Sequence, residues 1–142
     1  MKVHELMTGR VISVTPEDSV ASAARLLQRH NIGAVPVCTE EGRLRGMLTD
    51  RDLALRCVAG SADPERTPVR EVMSRGILTA TPEEDANAAA LTMAKGQVRR
   101  VPVVTEGRVV GMLSLGDLAR AKPCMMEASA ALSEISANIR RA

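Results

Sequence analysis

The chain has 142 residues, of which 45% are apolar and 25% are charged, a composition typical of a globular protein with one domain or two small halves. With a formal net charge of +2 and no aromatic residue, it offers neither the basic surface nor the stacking platforms used by nucleic-acid-binding proteins. No apolar run reaches the roughly 20 residues of a membrane helix, and the N-terminus lacks the apolar core of a signal peptide. We therefore expect a cytoplasmic protein with no nucleic acid and no membrane as partner.

The sequence repeats itself, and the repeat defines its organisation. The matching segments are residues 3–8 with 69–74, residues 35–37 with 101–103 and, after one additional residue in the first copy, residues 42–49 with 107–114. Chance does not produce such a series, so the chain is a tandem duplication. We expect a first copy at residues 1–59, a linker at residues 60–68, a second copy at residues 69–122 and a C-terminal helix or tail at residues 123–142.

The first two elements of each copy are a short strand and an amphipathic helix. The strands are predicted at residues 11–14 and 77–80. Each helix carries one apolar face, formed by Val20, Ala23, Ala24 and Leu27 in the first copy and by Ala86, Ala89, Ala90 and Met93 in the second. Thr15 and Thr81 can cap these helices, whereas the alternative caps Asp18 and Asp85 start them later along the chain. We expect the helices to end near Asn31 and Gly96, which suit left-handed caps.

Two further strands and a second helix complete each copy. The strands are predicted at residues 32–38, 43–49, 98–104 and 108–114, and the helices begin at Asp50 and Leu115. Pro36 and Pro102 lie inside the first strand of each pair, and proline belongs at a sheet edge or a strand end. The alternation of strands and helices predicts an α+β fold. Because one copy alone has little apolar surface to bury, we expect the two copies to pack against each other. The two strand–helix–strand–strand–helix repeats would pack sheet to sheet with pseudo-twofold symmetry, followed by a C-terminal helix.

The C-terminal segment predicts a helix with an apolar stripe. The stripe consists of Met125, Ala128, Leu132, Ile135 and Ile139, at alternating three- and four-residue spacing. Two alternatives are open for it. The stripe either packs back onto its own domain or forms the interface of a homodimer.

Cysteine and histidine occur in no pattern that indicates catalysis or a metal site. Cys38, Cys57 and Cys124 contain no C-x-x-C spacing, and the two histidines are far apart in sequence. We expect Cys38 to be buried and Cys57 to lie in a helix, while Cys124, which follows Pro123, is a candidate for exposure. Because G-x-S-x-G and Walker-type loops are also missing, we expect neither an enzyme nor a metalloprotein.

Two strings carry a resemblance to a known family. Residues 46–53 (GMLTDRDL) and residues 111–118 (GMLSLGDL) share a Gly-apolar-apolar-Ser/Thr-x-x-Asp pattern, and each follows a Val-Pro-Val segment. Each copy therefore resembles a CBS motif, and the pair resembles a Bateman module. The resemblance extends from Val3 to about Ala121. As a stand-alone pair, the chain is also similar to small bacterial CBS proteins of the hypoxic-response and stress type.

The resemblance implies a regulatory sensor. Such modules bind AMP, ADP, ATP or S-adenosylmethionine at pseudo-symmetric sites in the cleft between the copies and transmit occupancy to a partner, which the sequence does not name. It implies that Asp52 and Asp117 hold the ribose hydroxyls and that Thr49 and Ser114 face the phosphate. The other residues implied in ligand binding are Gly33, Ala34, Arg99 and Arg100 along the cleft, Ser13 and Thr79 beside the adenine, and Arg51 near a phosphate.

The chemistry of these residues is compatible with that role. A carboxylate accepts two hydrogen bonds from a cis-diol, helix N-terminal amides suit an anion, and arginine binds phosphate. Thr49 with Asp52, and Ser114 with Asp117, are equally well explained as helix-capping boxes without a ligand. Arg99 and Arg100 alternate in direction along a strand, so we expect at most one of them to face the cleft.

The two copies differ before their prolines. Gly33 and Ala34 occupy the positions of Arg99 and Arg100, so the two sites should differ in affinity, or one should be empty. The alternative function is a ligand-independent, dimeric stress or interaction protein, with redox sensing through its cysteines as a further option.

Overall fold

The computed structural model describes the backbone of residues 1–141 and the side chains of residues 1–137. The chain forms two compact units. We call Ile12–Ile77 the continuous unit, and Met1–Val11 together with Leu78–Ala142 the split unit. The predicted mixture of helices with strands is confirmed, since the chain contains two small antiparallel sheets and a C-terminal helix.

The continuous unit holds a helix and a β-hairpin around one core. The elements are α2 at Val20–His30, β1 at Ala34–Cys38, β2 at Leu44–Thr49 and α3 at Asp50–Asp52, followed directly by a π-helix at Leu53–Val58 and later by a 3-10 turn at Val69–Glu71. β1 and β2 pair antiparallel, with Val35 opposite Leu48. These two side chains are fully buried together with Ala23 of α2, as the apolar helix face predicts.

The split unit repeats this arrangement and adds two helices. The elements are α1 at Val3–Leu6, α4 at Ala86–Gly96, β3 at Arg100–Thr105, β4 at Arg108–Ser114, α5 at Leu115–Ala119, a 3-10 turn at Lys122–Cys124 and α6 at Met125–Arg141. β3 and β4 pair antiparallel, with Val101 opposite Leu113. Within residues 1–141, no helix combines the length and the apolar character that a bilayer span requires.

Each hairpin is joined by a segment that is distant in sequence. In the split unit, Thr8 and Met112 exchange two backbone hydrogen bonds of 2.9 and 3.0 Å, and Val3 is fully buried. In the continuous unit, Met47 and Ser74 exchange two bonds of 3.0 and 2.8 Å. The segment that precedes the first copy's strand position, residues 3–8, therefore belongs to the split unit, which is built on the second copy. The matching segment of the second copy, residues 69–74, belongs to the continuous unit, which is built on the first copy.

The predicted strands at residues 11–14 and 77–80 are not regular strands. Val14 makes a single parallel bridge to Val37, and Ala80 makes the matching bridge to Val103. Val14 bonds to the carbonyl of Pro36 and the amide of Cys38, so the next step of the ladder would require an N–H from Pro36. Proline has none, and the pairing stops after one residue. Pro102 has the same effect beside Ala80.

The helix starts differ from the caps predicted from threonine. α2 is capped by Ser19, whose hydroxyl accepts from the Ser22 amide at 3.0 Å. Neither predicted cap serves, because the Asp18 carboxylate accepts from the Thr15 amide at 2.8 Å within the preceding turn. α4 begins after Asp85, the alternative that the sequence offered, although the Asp85 side chain makes no capping hydrogen bond.

The helix ends are predicted correctly in one copy and one residue early in the other. Asn31 takes the left-handed conformation as expected (φ 52°), but Gln97, not Gly96, does so in the second copy (φ 56°). Gly96 instead provides space, since a Cβ there would lie 2.1 Å from Cδ1 of Leu78. The amides of Ile32 and Val98 close these helix ends, so the strands begin two residues later than predicted. The second helices begin at Asp50 and Leu115, as predicted.

The C-terminal helix α6 packs back onto its own unit with part of its stripe. Ala128 and Ile135 are buried together with Ala131, and the helix contacts α4 and α5. Met125 and Leu132, however, remain 53% and 42% exposed. The side chain of Ile139 lies outside the residues that the structure describes.

Replacing Gly46 by alanine should destabilise the continuous unit by about 1–3 kcal/mol, because overpacking forces the backbone to shift. The new Cβ would lie 2.6 Å from the carbonyl oxygen of Ser74 and 2.9 Å from Sδ of Met73. Thermal unfolding followed by far-ultraviolet circular dichroism measures the loss. Gly9→Ala is the matched control, since nothing lies within 4 Å of its Cβ. Unchanged melting of Gly46→Ala would contradict this packing.

Candidate functional site

One pocket of the split unit brings together four of the residues predicted to bind a ligand. Its volume is about 730 Å³, and Arg99, Arg100, Ser114 and Asp117 line it. The remaining lining residues come from the N-terminal segment, β4, α5 and α6: Thr8, Met112, Leu113, Leu115, Gly116, Ala119, Arg120, Met125, Ala128, Ser129 and Leu132. The pocket is therefore polar around Asp117 and apolar where methionine and leucine side chains face it.

Ser114 and Asp117 hold each other at the junction of β4 and α5. The Ser114 amide donates to Oδ2 of Asp117 at 2.9 Å, and the Asp117 amide donates to Oγ of Ser114 at 3.1 Å. These reciprocal bonds confirm the capping box that was predicted as an alternative to ligand binding. The same bonds hold the Asp117 carboxylate at one position in the pocket wall.

The other oxygen of Asp117 is paired with an arginine that the sequence analysis missed. Oδ1 accepts from Nη2 of Arg120 at 2.6 Å, although the Arg120 side chain is 74% exposed. Its guanidinium lies over Gly116, where a Cβ would be 3.4 Å from Nη1. The three-residue spacing from Asp117 on a helix was the available signal for this pair.

Arg99 and Arg100 both line the pocket, whereas strand alternation predicted that only one would face a ligand. Arg100 begins β3 and pairs with Ser114. Arg99 precedes the strand, so alternation does not apply to it, and its carbonyl accepts from the Leu115 amide at 2.9 Å. With Arg120, three guanidinium groups share the pocket with the single carboxylate of Asp117. A ligand with negative charge would suit this balance.

The equivalent residues of the continuous unit form the same box in different surroundings. Thr49 and Asp52 exchange bonds of 2.9 and 3.0 Å, and Asp52 is only 9% exposed. Nε of Arg56 lies 3.8 Å from Oδ1 of Asp52, but Nη1 of Arg56 donates to the carbonyls of Val72 and Met73. This arginine is thus held by the main chain.

The remaining predicted site residues do not line the pocket at Asp117. A Cβ at Gly33 would lie 3.0 Å from the Asp50 carboxylate, and Ala34 begins β1. Ser13 is exposed and lines a smaller pocket of about 220 Å³ beside α2. Arg51 is exposed, and Thr79 is half-buried. The structure thus groups four of the five second-copy residues, and neither Thr79 nor Ser13 lines that pocket.

All three cysteines are buried and free. Cys38 is buried as predicted, and Cys57 lies in the π-helix, where its thiol contacts the Ala62 carbonyl at 3.6 Å. Cys124 is 1% exposed, so its suggested exposure is wrong. It packs into the core of the split unit, because the 3-10 turn after Ala121 directs the chain inward before α6. Burial raises the pKa of the Cys38 and Cys124 thiols.

Native protein should therefore react with a thiol reagent at pH 7 at least about tenfold more slowly than unfolded protein, since thiolate is the reactive form and burial restricts access. Labelling with dithionitrobenzoate, with and without guanidinium chloride, measures both rates. Because burial raises the pKa of Cys38 and Cys124, the native rate of these two thiols should still increase with pH above the ordinary thiol pKa, where the rate of the unfolded protein levels off. One thiol that labels equally fast in both states would contradict this.

A family model for the CBS domain matches residues 3–58 and 69–123. Among similar proteins, the CBS domain-containing protein YhcV of Bacillus subtilis is 43% identical over 134 residues, covering 94% of each chain. Hypoxic response protein 1 of Mycobacterium tuberculosis is 34% identical over 120 residues, covering 84% of each.

Two solved structures resemble the fold. A crystal structure of hypoxic response protein I with two coordinated zinc ions superposes with a TM-score of 0.80 at 32% identity, covering 87% of this chain and all of that one. Side chains described here bring together no group of three metal-ligating residues. The CBS domain pair of protein MJ0100, bound to 5′-methylthioadenosine and S-adenosylmethionine, gives a TM-score of 0.76 at 30% identity over 84% of this chain and 94% of that one. On the two matched motifs and these relatives, the chain belongs to the CBS-domain family, as a tandem pair.

Proposed function

We propose that this chain is a regulatory module that binds an adenosine-containing ligand in the Asp117 pocket of the split unit and transmits occupancy to a partner. The candidate ligands are AMP, ADP, ATP and S-adenosylmethionine. The observation that carries the proposal is the grouping of Arg99, Arg100, Ser114 and Asp117 around one pocket of about 730 Å³. The adenosine ligands bound by the MJ0100 domain pair support it.

The pocket offers a separate kind of contact for each part of such a ligand. The Asp117 carboxylate can accept hydrogen bonds from a ribose diol, and the arginines can bind a phosphate. Met112, Met125 and Leu132 supply apolar contacts for a base in a chain that has no aromatic ring. Methionine adapts its shape to such a surface more readily than branched side chains do.

A regulatory role fits the lining better than catalysis does. Histidine and cysteine, the commonest acid–base and nucleophilic side chains, are not among the residues that line the pocket. Asp117 and Ser114 are occupied with each other's backbone amides. The site can hold a ligand, but it offers no activated nucleophile.

Transmission would proceed through α6. One side of this helix is buried in its own unit through Ala128 and Ile135, and Met125, Ser129 and Leu132 line the pocket. A ligand that contacts these residues would bias the position of α6 to the extent that it binds the two positions with different affinity. The exposed face of α6 would then present that change to a partner.

A ligand present at 100 times its dissociation constant should stabilise the protein by about 2.7 kcal/mol and raise the melting temperature by several degrees. Differential scanning calorimetry with AMP, ATP and S-adenosylmethionine measures the shift, and it suits a chain without tryptophan or tyrosine. Asp117→Ala should abolish the shift.

Asp52→Ala is the matched control for this experiment. Each substitution removes the acceptor of one 2.9 Å bond from a cap amide, so each should cost about 1 kcal/mol of stability. Only Asp117→Ala should remove the ligand response. No shift with any ligand would refute the proposal, and an equal loss of response in both variants would refute the assignment to this pocket.

A second candidate function is a dimeric interaction protein, and the exposed face of α6 favours it. Met126 is 84% exposed and Met125 is 53% exposed, which is unusual for adjacent apolar side chains. The burial of all three cysteines argues against redox sensing as part of this alternative.

If α6 forms a homodimer interface, Met126→Glu should weaken dimerisation at least about tenfold, since like charges would meet across a symmetric contact. Sedimentation velocity at several concentrations measures the equilibrium. Met126→Leu should leave it unchanged. A wild-type protein that is monomeric at every concentration would exclude the homodimer.

A further inference from the structure

We propose that Arg120 makes the Asp117 pocket selective for adenosine ligands that carry net negative charge, because a ligand must separate Arg120 from Asp117 and replace the carboxylate. This inference rests on the proposed function and names the ligand class of the same pocket. Selectivity of this kind requires three conditions: a paired carboxylate, a mobile guanidinium and no second carboxylate in the larger pocket to receive it.

The first condition is met by the hydrogen bonds of Asp117. Oδ2 is committed to the main chain through the Ser114 amide, whereas Oδ1 accepts from Arg120 at 2.6 Å. The Asp117 side chain is 13% exposed and cannot turn away without breaking its capping box. A ribose diol that donates to Oδ1 therefore competes with the guanidinium of Arg120.

The second condition is met by the exposure and surroundings of Arg120. Its side chain is 74% exposed, and an ion pair at such exposure is weak and easily exchanged. Arg120 also lines a neighbouring pocket of about 400 Å³ with Glu5 and Lys122, so the guanidinium has space on two sides. Gly116 beneath it has no side chain to block the movement.

The third condition is met by the charges that line the larger pocket. Arg99 and Arg100 already face it, and among its described lining residues Asp117 alone is acidic, while Glu5 in the neighbouring pocket accepts from the Lys2 amide at 2.7 Å. Once displaced, Arg120 adds a third uncompensated positive charge unless the ligand supplies a negative one. Adenosine and 5′-methylthioadenosine supply none, and in S-adenosylmethionine the sulfonium and the ammonium outnumber the one carboxylate, so that this ligand adds net positive charge. A 5′-phosphate supplies the anion that all three arginines can share.

The first copy lacks an arginine equivalent to Arg120, so the proposed selectivity belongs to the second copy alone. Leu55 occupies the position of Arg120 in the repeat, and Arg51 occupies the position of Gly116. The guanidinium that is ion-paired with Asp52, that of Arg56 in the π-helix, also donates to two main-chain carbonyls, which hold it in place.

Isothermal titration calorimetry of AMP and adenosine against the wild type, Arg120→Gln and Arg108→Gln tests the inference. Arg108 is an exposed arginine of β4 that does not line the pocket, so Arg108→Gln is the control for loss of one positive charge. The wild type should prefer AMP. In Arg120→Gln, AMP should bind about tenfold more weakly, the cost of one charge-assisted contact. Adenosine should bind as tightly as before or more tightly.

The opposite responses of the two ligands separate this inference from a structural effect of the substitution. If Arg120→Gln weakens adenosine and AMP equally, or changes neither, the inference is overturned and the proposed function stands. If Arg108→Gln reproduces the change, general charge explains it and Arg120 has no special role. If neither ligand binds to the wild type, the proposed function is refuted, and the inferred selectivity is refuted as well.

Discussion

A main-chain turn and a carboxylate hold each other in place at the end of β4, and the candidate site depends on that contact. The Ser114 and Asp117 amides are each satisfied by the other residue's side chain, which ends the strand and starts α5. Because one carboxylate oxygen is used in this way, the other has a defined direction and meets Arg120. Fold stability and ligand chemistry are therefore carried by the same side chain.

The duplication shows which parts of this arrangement belong to the fold and which belong to one copy. Both copies have a Ser/Thr–Asp box with nearly equal hydrogen-bond lengths, so the box is a requirement of the hairpin-to-helix junction. The surrounding charges differ. Arg99 and Arg100 replace Gly33 and Ala34, and Arg56, which pairs with Asp52, is held by carbonyls of residues 72 and 73. Divergence between the copies has thus changed the charged residues around the aspartate and preserved the capping box that holds it.

The features that sequence predicts well here are local or repeated. The hairpins, the starts of the second helices and the left-handed Asn31 follow from short-range hydrogen bonding and steric rules. The strands predicted at residues 11–14 and 77–80 are reduced to single bridges, because a proline on the neighbouring strand, and not their own composition, limits the hydrogen-bond ladder. Arg99, Arg100, Ser114 and Asp117 are brought together by strand register, which the repeat makes visible. The contribution of α6 and the depth of Cys124 depend on tertiary packing that no local pattern encodes.

The split unit consists of two segments that are distant in sequence, and this affects the order in which the two units fold during synthesis on the ribosome. The continuous unit has every element it needs as soon as residue 77 has emerged, whereas Val3 must wait for its core neighbours around residues 86–118 to be synthesised. The first eleven residues therefore leave the exit tunnel early with their apolar side chains uncovered. Contacts between such distant segments also slow the final closure. The order of synthesis therefore places the folding of the split unit, which carries the Asp117 pocket, after that of the continuous unit.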